Sequence, residues 1–196
     1  MSPIAKPVIR CEPVTLRPLG VADAAAIWDS LDEPEANRLT GTQSAFTFDA
    51  VRRHCKQLET ADDRVDYGIV VAHTLVGEVV LNQIDWINRC ASFRIALWRP
   101  EHRNRGYGSI ATFLAVRHGF EALSLNRIEL EVYAFNPRAR RVYEKMGFVL
   151  EGTRRQALLW DGDWVDAHMM SLLRDHFDSR SIMPATPHDA GQRPDS

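Results

Sequence analysis

The sequence contains few cysteines, no long apolar run and little net charge, and each absence excludes a class of protein. Only three of its 196 residues are cysteines, Cys11, Cys55 and Cys90. Thiols this few and scattered argue against a disulfide framework or a cysteine-based metal site, and they favour a cytoplasmic protein. No apolar run reaches the roughly 20 residues that span a bilayer, so we expect no membrane partner. The net charge of −2 gives no reason to expect a nucleic-acid partner.

Other metal-binding and catalytic patterns are also missing. The seven histidines show no metal-ligand spacing, so we expect no bound metal. No Gly-x-Ser-x-Gly segment supports Ser/His/Asp catalysis. The composition, 45% hydrophobic and 26% charged, is that of an ordinary globular domain with a sizeable core. We predict a loose leader at 1–12, one domain at 13–177, and a disordered tail at 178–196 that is rich in Ser, Pro, Asp and Gly.

The order of predicted elements is β-α-α-β-β-β-α-β-α-β-β, which indicates a mixed α/β domain. Hydrophobic periodicity and turn residues locate these elements. Asp23 and Asp49 are the expected caps of the first two helices, and Asp161-Gly162 is the expected turn of the last hairpin. The segment 32–48 should be a loop or a broken helix. The predicted strands cover 14–18, 66–72, 75–85, 91–98, 126–134, 148–160 and 163–173, and the predicted helices cover 24–31, 49–60, 109–122 and 136–146.

The most informative stretch is the loop Arg103-Asn104-Arg105-Gly106-Tyr107-Gly108, which links a predicted strand to a predicted helix. Glycine lets the backbone adopt conformations that other residues avoid and approach a ligand closely. The helix that follows begins with unpaired N–H groups and the positive end of its dipole, and such a terminus binds phosphate. Because Arg103 and Arg105 add positive charge, the loop predicts a phosphate-binding site.

Three phosphate-binding motifs compete for this loop. The nucleotide P-loop requires a lysine before its serine or threonine, whereas Gly108 precedes Ser109 here. The dinucleotide fingerprint requires a third glycine where the chain has Ala111. The third motif is the pyrophosphate loop of the GNAT acyltransferases, Gln/Arg-x-x-Gly-x-Gly/Ala. Arg103, Gly106 and Gly108 match it in full, so the loop resembles that of the GNAT family.

A second stretch strengthens the resemblance. Residues 136–148, Asn-Pro-Arg-Ala-Arg-Arg-Val-Tyr-Glu-Lys-Met-Gly-Phe, are similar to the GNAT signature Asn-x-x-(Ala/Ser)-x-x-x-Tyr-Glu-Lys-x-Gly-Phe. They lie where the family has this signature, one helix and one strand after the glycine loop. On these two motifs the chain is identified as a member of the GNAT superfamily over 14–177. The closing pattern from Gly152 to Leu173 resembles the Rim-type branch, which includes the ribosomal-protein N-terminal acetyltransferases.

The resemblance implies the GNAT fold, a twisted and mostly antiparallel sheet flanked by helices. Its fourth and fifth predicted strands, 91–98 and 126–134, should run parallel but splay apart, and acetyl-CoA should enter the gap. The pantetheine arm should pair with the strand backbone at 95–97, and the pyrophosphate should lie on N–H groups of 105–109. The cofactor-binding residues predicted in this way are Ile95, Ala96, Leu97, Arg103, Arg105, Gly106, Tyr107, Gly108, Ser109 and Asn136.

The resemblance also implies two catalytic residues. Acyl transfer to an amine needs a base for the ammonium proton and an acid for the leaving thiolate. Glu131, on the predicted strand that precedes Asn136, is the expected base, and Tyr143 is the expected acid. The alternatives are that Glu129 and Glu131 form an ordinary solvated strand face and that Tyr143 only packs in the core.

These residues predict an acetyl-CoA-dependent N-acetyltransferase that acts on a primary amine by direct attack in a ternary complex. The acceptor would be a protein N-terminus or a small amine, and Glu33 and Glu35 are candidates to attract a cationic one. One alternative is a non-catalytic acyl-CoA-binding module, against which the presence of both Glu131 and Tyr143 counts. Another is a nucleotide-binding protein that uses the glycine loop. Homodimers are common in the Rim-type branch, and the sequence leaves the oligomeric state open.

Overall fold

The structure, a computed structural model, describes residues 4–178. Within them, eight strands form one sheet: β1 Ile9–Cys11, β2 Val14–Pro18, β3 Val65–Val71, β4 Thr74–Asp85, β5 Cys90–Leu97, β6 Arg127–Tyr133, β7 Val149–Trp160 and β8 Asp163–Leu173. Their order across the sheet is β1-β2-β3-β4-β5-β6-β8-β7. Neighbouring strands are antiparallel except β5 and β6, which are parallel. The predicted mixed sheet is therefore confirmed.

Five α-helices flank the sheet within the described residues: α1 Ala24–Ser30, α2 Pro34–Thr40, α3 Phe48–Leu58, α4 Tyr107–Arg117 and α5 Pro137–Lys145. A π-helical turn, His118–Ala122, continues α4 to the end predicted for that helix. α4 packs against β2, β4 and β5, and α2 contacts β5 and β6. All residues from 110 to 116 are buried, as expected for a helix that is apolar on every side. None of the described helices has the length and apolar character needed to cross a membrane.

The two faces of the sheet carry different side chains. On β6, Leu130 and Val132 belong to the main core together with the apolar side chains of α4. Because side chains alternate along a strand, Glu131 and Tyr133 point to the opposite face. There the Tyr133 ring lies directly against Gly41, which ends α2. The sheet thus separates an apolar core under α4 from a more polar region under α2.

β5 and β6 pair over a short distance only. Their register joins Cys90–Ser92 to Arg127–Glu129. Beyond Ser92 and Glu129 the two strands no longer pair, so a gap opens between them. These strands are the predicted fourth and fifth, since β1 adds one to the count, and the predicted splay is confirmed.

The first strand lies where the sequence predicts a loose leader, and that part of the prediction is wrong. Ile9 pairs with Leu16 and Cys11 pairs with Val14, and both β1 side chains pack against the main core. Two apolar residues in a three-residue strand give too short an alternation to be recognised in a sequence. The predicted disordered tail lies outside the described residues, except for Asp178.

The helix caps also differ from the prediction. α3 is capped by Thr47, whose Oγ1 accepts a hydrogen bond from Ala50 N–H at 3.2 Å, and not by Asp49. Asp23 makes no capping hydrogen bond to α1. Its carboxylate instead accepts hydrogen bonds from the Arg17 guanidinium at 2.6 and 2.9 Å. A charged partner on β2 therefore takes the acceptor that the cap was expected to use.

Replacing Gly77 on β4 tests how closely β4 packs against β5, the strand beside the gap. A Cβ at this position would lie 2.1 Å from the Ala96 carbonyl oxygen on β5, and a backbone atom cannot move aside as a side chain can. We expect Gly77→Ala to lower the free energy of unfolding by about 3 kcal/mol, measured by urea denaturation.

Gly152→Ala on β7 is the matched control, because no atom lies within 4 Å of the Cβ it would add. It should change the free energy of unfolding by less than about 0.5 kcal/mol. Equal effects for the two variants would contradict the close approach of β4 and β5.

Candidate active site

A cavity of about 720 Å³ opens where β5 and β6 separate. Residues of α2, α4 and α5 close around it. Arg105 and Tyr107 do not line it, because the Arg105 side chain is exposed and Tyr107 packs against the core. All the other predicted site residues do line it: Ile95, Ala96, Leu97, Arg103, Gly106, Gly108, Ser109, Glu131, Asn136 and Tyr143.

The backbone of β5 presents polar groups to the cavity. Trp98 N–H donates to the Val76 carbonyl of β4 at 3.1 Å, and hydrogen-bonded and non-hydrogen-bonded pairs alternate along an antiparallel ladder. The backbone groups of Leu97 and Ile95 therefore point away from β4, toward the gap that β6 leaves open. Pairing with an extended pantetheine arm requires such an unpaired edge.

The glycine loop fits a phosphate group. Gly106 adopts a φ of 79°, in the left-handed region that favours glycine, and α4 begins at the next residue. Ile110 N–H donates to the Gly106 carbonyl at 3.0 Å, so the amides of 107–109 precede the first helical hydrogen bond. A Cβ added to Gly108 would meet only Leu97 Cδ1, at 3.6 Å, so its absence leaves room beside the cavity. Free amides and this room are what a pyrophosphate needs.

Arg103 makes different contacts from those the sequence suggested. Its guanidinium is buried, donates hydrogen bonds to the carbonyls of Leu97 at 3.3 Å and Trp98 at 3.1 Å, and forms an ion pair with Glu35. The side chain thus holds the glycine loop to the end of β5 and to α2. Its predicted contact with a phosphate would come in addition to this bracing role.

Glu33 and Glu35, the candidates for attracting a cationic acceptor, are both engaged with arginines. Glu35 pairs with Arg103, and Glu33 accepts a hydrogen bond from Arg99 at 3.3 Å. Neither carboxylate lines the cavity. The two ion pairs attach the N-terminal end of α2 to the segment after β5, and this is the role the structure supports.

Tyr143, the predicted acid, lies on α5 between the core and the cavity. Its ring packs edge to face on Phe93, with centroids 6.0 Å apart, and against Phe148 at 5.9 Å. Among the described residues its hydroxyl has no hydrogen-bond partner. Burial raises the pKa of the Tyr143 hydroxyl above its ordinary value of 10, so the group stays protonated at neutral pH. It both packs in the core and presents a free proton donor to the cavity.

Glu131, the predicted base, lines the cavity from the face of the sheet opposite to Tyr143. Its carboxylate forms an ion pair. Arg154 of β7 donates a hydrogen bond to its carboxylate at 2.5 Å. No sequence pattern indicated Arg154, because its contact with Glu131 depends on the strand order, in which β8 lies between β6 and β7. The Glu131 charge also affects the neighbouring Tyr133. Burial is the main cause that raises the pKa of the Tyr133 hydroxyl, and the Glu131 carboxylate raises it further. Glu129 pairs instead with Arg127, at 3.0 Å.

Asn136 serves as the cap of α5, since its Oδ1 accepts a hydrogen bond from Ala139 N–H at 3.1 Å. The cap holds the side chain at the cavity wall, so the predicted role beside the pantetheine arm is compatible with it. Arg138 on the same helix donates to Asn104 Oδ1 at 2.9 Å. This bond ties α5 to the glycine loop, so the two sequence motifs are in direct contact.

The chain matches the family model for the acetyltransferase (GNAT) domain over residues 14–149. It therefore belongs to the GNAT family, and the prediction of an acetyl-CoA-dependent acetyltransferase is confirmed. The match includes both the glycine loop and the signature around Tyr143. It ends before the pattern from Gly152 to Leu173, so the Rim-type branch stays a prediction, as do the cytoplasmic location and the homodimer.

Individual relatives agree with the family. The chain is 35% identical over 107 residues to the spermidine N(1)-acetyltransferase of Vibrio cholerae, covering 55% of this chain and 61% of that protein. It is 36% identical over 72 residues to the L-amino acid N-acetyltransferase AaaT of Escherichia coli, covering 37% and 44%. Each of these sequence alignments thus spans less than two thirds of the relative's length.

A solved structure covers more of the chain. The crystal structure of the Vibrio cholerae spermidine N-acetyltransferase in complex with CoA and spermine superposes with a TM-score of 0.79 at 26% identity. The superposition covers 85% of this chain and 98% of that one. A CoA complex with this fold confirms the predicted cofactor.

Replacing Arg103 tests its bracing role. We expect Arg103→Gln to lower the free energy of unfolding by about 3 kcal/mol, because two backbone carbonyls and Glu35 lose a buried charged donor. The KM for acetyl-CoA should rise in the same variant, since the β5 edge and the glycine loop lose their connection. Urea denaturation and initial rates measure the two effects.

Arg140→Gln is the control for this variant. In the described part of the chain, the Arg140 side chain bonds only to Glu144, one helical turn away, at 2.8 Å. Its loss should cost at most about 0.5 kcal/mol. An Arg103→Gln protein as stable as the control would show that the guanidinium does not brace the loop.

Proposed function

We propose that the protein transfers the acetyl group of acetyl-CoA to a primary amine by direct attack within a ternary complex. The observation that carries the proposal is that Glu131 and Tyr143 line one cavity from opposite faces of the sheet, at the place where β5 and β6 part. A thioester lying along the β5 edge would expose its carbonyl carbon toward one face and its sulfur toward the other. This arrangement supports Glu131 as the base and Tyr143 as the acid.

The proposed steps follow from these positions. Glu131 takes a proton from the acceptor ammonium, directly or through a water molecule. The amine nitrogen then forms a bond to the acetyl carbon, a β5 backbone N–H near Leu97 stabilises the charge on the carbonyl oxygen, and the carbon–sulfur bond breaks. As the amide forms, the nitrogen loses its second proton to solvent, and Tyr143 gives its hydroxyl proton to the departing sulfur and recovers one from solvent. Glu131 then releases its proton to solvent. No bond to the protein forms at any step.

The Glu131 ion pair bears on the kind of amine that is deprotonated. An α-amine of pKa about 8 costs about 1.4 kcal/mol to deprotonate at pH 7, whereas an amine of pKa about 10.4 costs about 4.6 kcal/mol. The second kind of amine therefore requires more from a general base than the first. Glu131, held by Arg154, is the carboxylate we propose for this step.

CoA release with a panel of amines tests the proposal. The panel contains spermidine, L-amino acids and a short peptide with a free α-amine, and each is compared with the hydrolysis of acetyl-CoA alone. We expect saturable release with at least one amine, and no competition with acetyl-CoA by NAD or ATP. CoA binding without amine-dependent release would establish the non-catalytic module instead.

Tyr143→Phe tests the acid. Loss of a positioned proton donor should lower kcat by about 100-fold. The KM for acetyl-CoA and the urea midpoint should hardly change, because the hydroxyl has no hydrogen-bond partner within residues 4–178. Tyr67→Phe is the control, since the Tyr67 hydroxyl is also buried but contacts His118 in the core, at 3.3 Å. Full turnover in Tyr143→Phe would remove Tyr143 from the mechanism.

Glu131→Gln tests the base, with Glu129→Gln as its matched control on the same strand face. Each variant removes a carboxylate that pairs with an arginine. We expect about a 100-fold loss of kcat in Glu131→Gln and loss of the acidic limb of the pH–rate profile, because that limb reports protonation of the base. Glu129→Gln should keep both. Similar profiles for the two variants would exclude Glu131 as the base.

A further inference from the structure

Arg94 on β5 differs from the other arginines that line the cavity. Among the described residues it makes no hydrogen bond and no ion pair, although it belongs to the cavity wall. Its guanidinium is a planar fork of five donors that suits a carboxylate. The remaining cavity arginines all have partners: Arg103 pairs with Glu35, Arg138 with Asn104, and Arg154 with Glu131.

The nearby carboxyl groups of Glu78, Glu129 and Glu131 form no ion pair with Arg94. Glu78, on the neighbouring strand β4, lies near enough for the two charges to interact, but it forms no ion pair with Arg94. Burial raises the pKa of Glu78 and so favours its neutral form. Glu129 and Glu131 are held by Arg127 and Arg154. The cavity therefore contains one guanidinium whose donors are all available.

Arg94 and Glu131 face each other across the gap. Ser92 and Glu129 form the last pair between β5 and β6, and each of the two charged residues lies two positions further along its own strand. Both project from the face that α2 covers, because side chains alternate. One edge of the gap therefore carries a free positive charge, and the other carries a carboxylate.

Asn82 on β4 adds an unpartnered polar atom on the same side. It is opposite Ser92 in the β4–β5 register and lines the cavity. Its Oδ1 is buried and accepts no hydrogen bond from any described residue, which is costly unless a ligand or water supplies a donor. Ser92 cannot supply one, since its hydroxyl is bonded to Gln83 at 3.0 Å.

We propose that the acceptor is a small amine that also carries a carboxylate, as a free amino acid does. Arg94 binds the carboxylate through its guanidinium fork, Asn82 Oδ1 accepts an N–H of the acceptor, and the amine reaches Glu131. This inference rests on the proposed function and narrows its substrate. A polyamine would place an ammonium group beside the unpaired Arg94, and like charges at close range disfavour that partner.

The test compares acceptors with and without a carboxylate. Initial rates are measured for L-amino acids, for their carboxamides and for spermidine. We expect kcat/KM for the best amino acid to exceed that of its carboxamide by about 30-fold. In Arg94→Gln this preference should disappear through a higher KM for the acid. Arg94→Lys, which keeps the charge without the fork, should fall between the two.

Arg53→Gln is the control, because it removes one exposed arginine charge from α3, and Arg53 does not line the cavity. It should keep the wild-type preference. Equal rates on acids and carboxamides, or faster turnover of spermidine that Arg94→Gln leaves unchanged, would overturn the inference while leaving the acetyltransferase activity intact.

Calorimetry on the protein–CoA complex measures acceptor binding without acetyl transfer, so it tests the carboxylate site separately from the reaction. Amino acids should bind more tightly than their carboxamides, and Arg94→Gln should abolish the difference. This result would support the carboxylate site even if no amine released CoA, which would refute the proposed function alone. Equal binding of acid and carboxamide to the wild-type complex would refute the site.

Discussion

The early separation of β5 and β6 is the constraint on which the site depends. A parallel pair in mid-sheet normally continues as long as both strands do, because unpaired backbone groups inside a protein are costly. Here pairing stops at Ser92 and Glu129. Arg103 offsets part of that cost by donating to the carbonyls of Leu97 and Trp98. The buried Arg103 guanidinium thus donates hydrogen bonds that a neighbouring strand would otherwise supply. The rest of the β5 edge is left for a ligand.

The separation also explains why the two motifs lie so far apart in the sequence and yet act together. The glycine loop follows β5, and the helix with Tyr143 follows β6, so each edge of the gap continues into one motif. Tyr143 packs on Phe93 of β5, and Arg138 bonds to Asn104 of the loop. These contacts fix the width of the gap at both ends. The cofactor contacts then need only backbone amides, a helix terminus and the absence of a side chain at Gly108.

The parts of this arrangement that local rules determine could be predicted from the sequence. Alternation along β6 puts Glu131 opposite the apolar residues, and the glycine positions mark the loop. The rest depends on contacts between distant residues. Arg154 reaches Glu131 across β8, which lies between β6 and β7, and the Asp23 carboxylate pairs with Arg17 instead of capping α1. The proximity of Arg94 and Asn82 depends on the register between β4 and β5, which brings both side chains to the cavity wall under α2.

The exposure of the cavity arginines indicates which ion pair can change when an acceptor enters. The Arg103 side chain is only 7% exposed, so breaking its contacts would leave a buried charge without partners. The Arg154 side chain is 62% exposed, and its charge would remain solvated if it left Glu131. An incoming ammonium can therefore replace Arg154 at the carboxylate without disturbing the cofactor side of the gap. In the proposed mechanism, Glu131 would be paired with Arg154 before the acceptor arrives and with the acceptor ammonium afterwards.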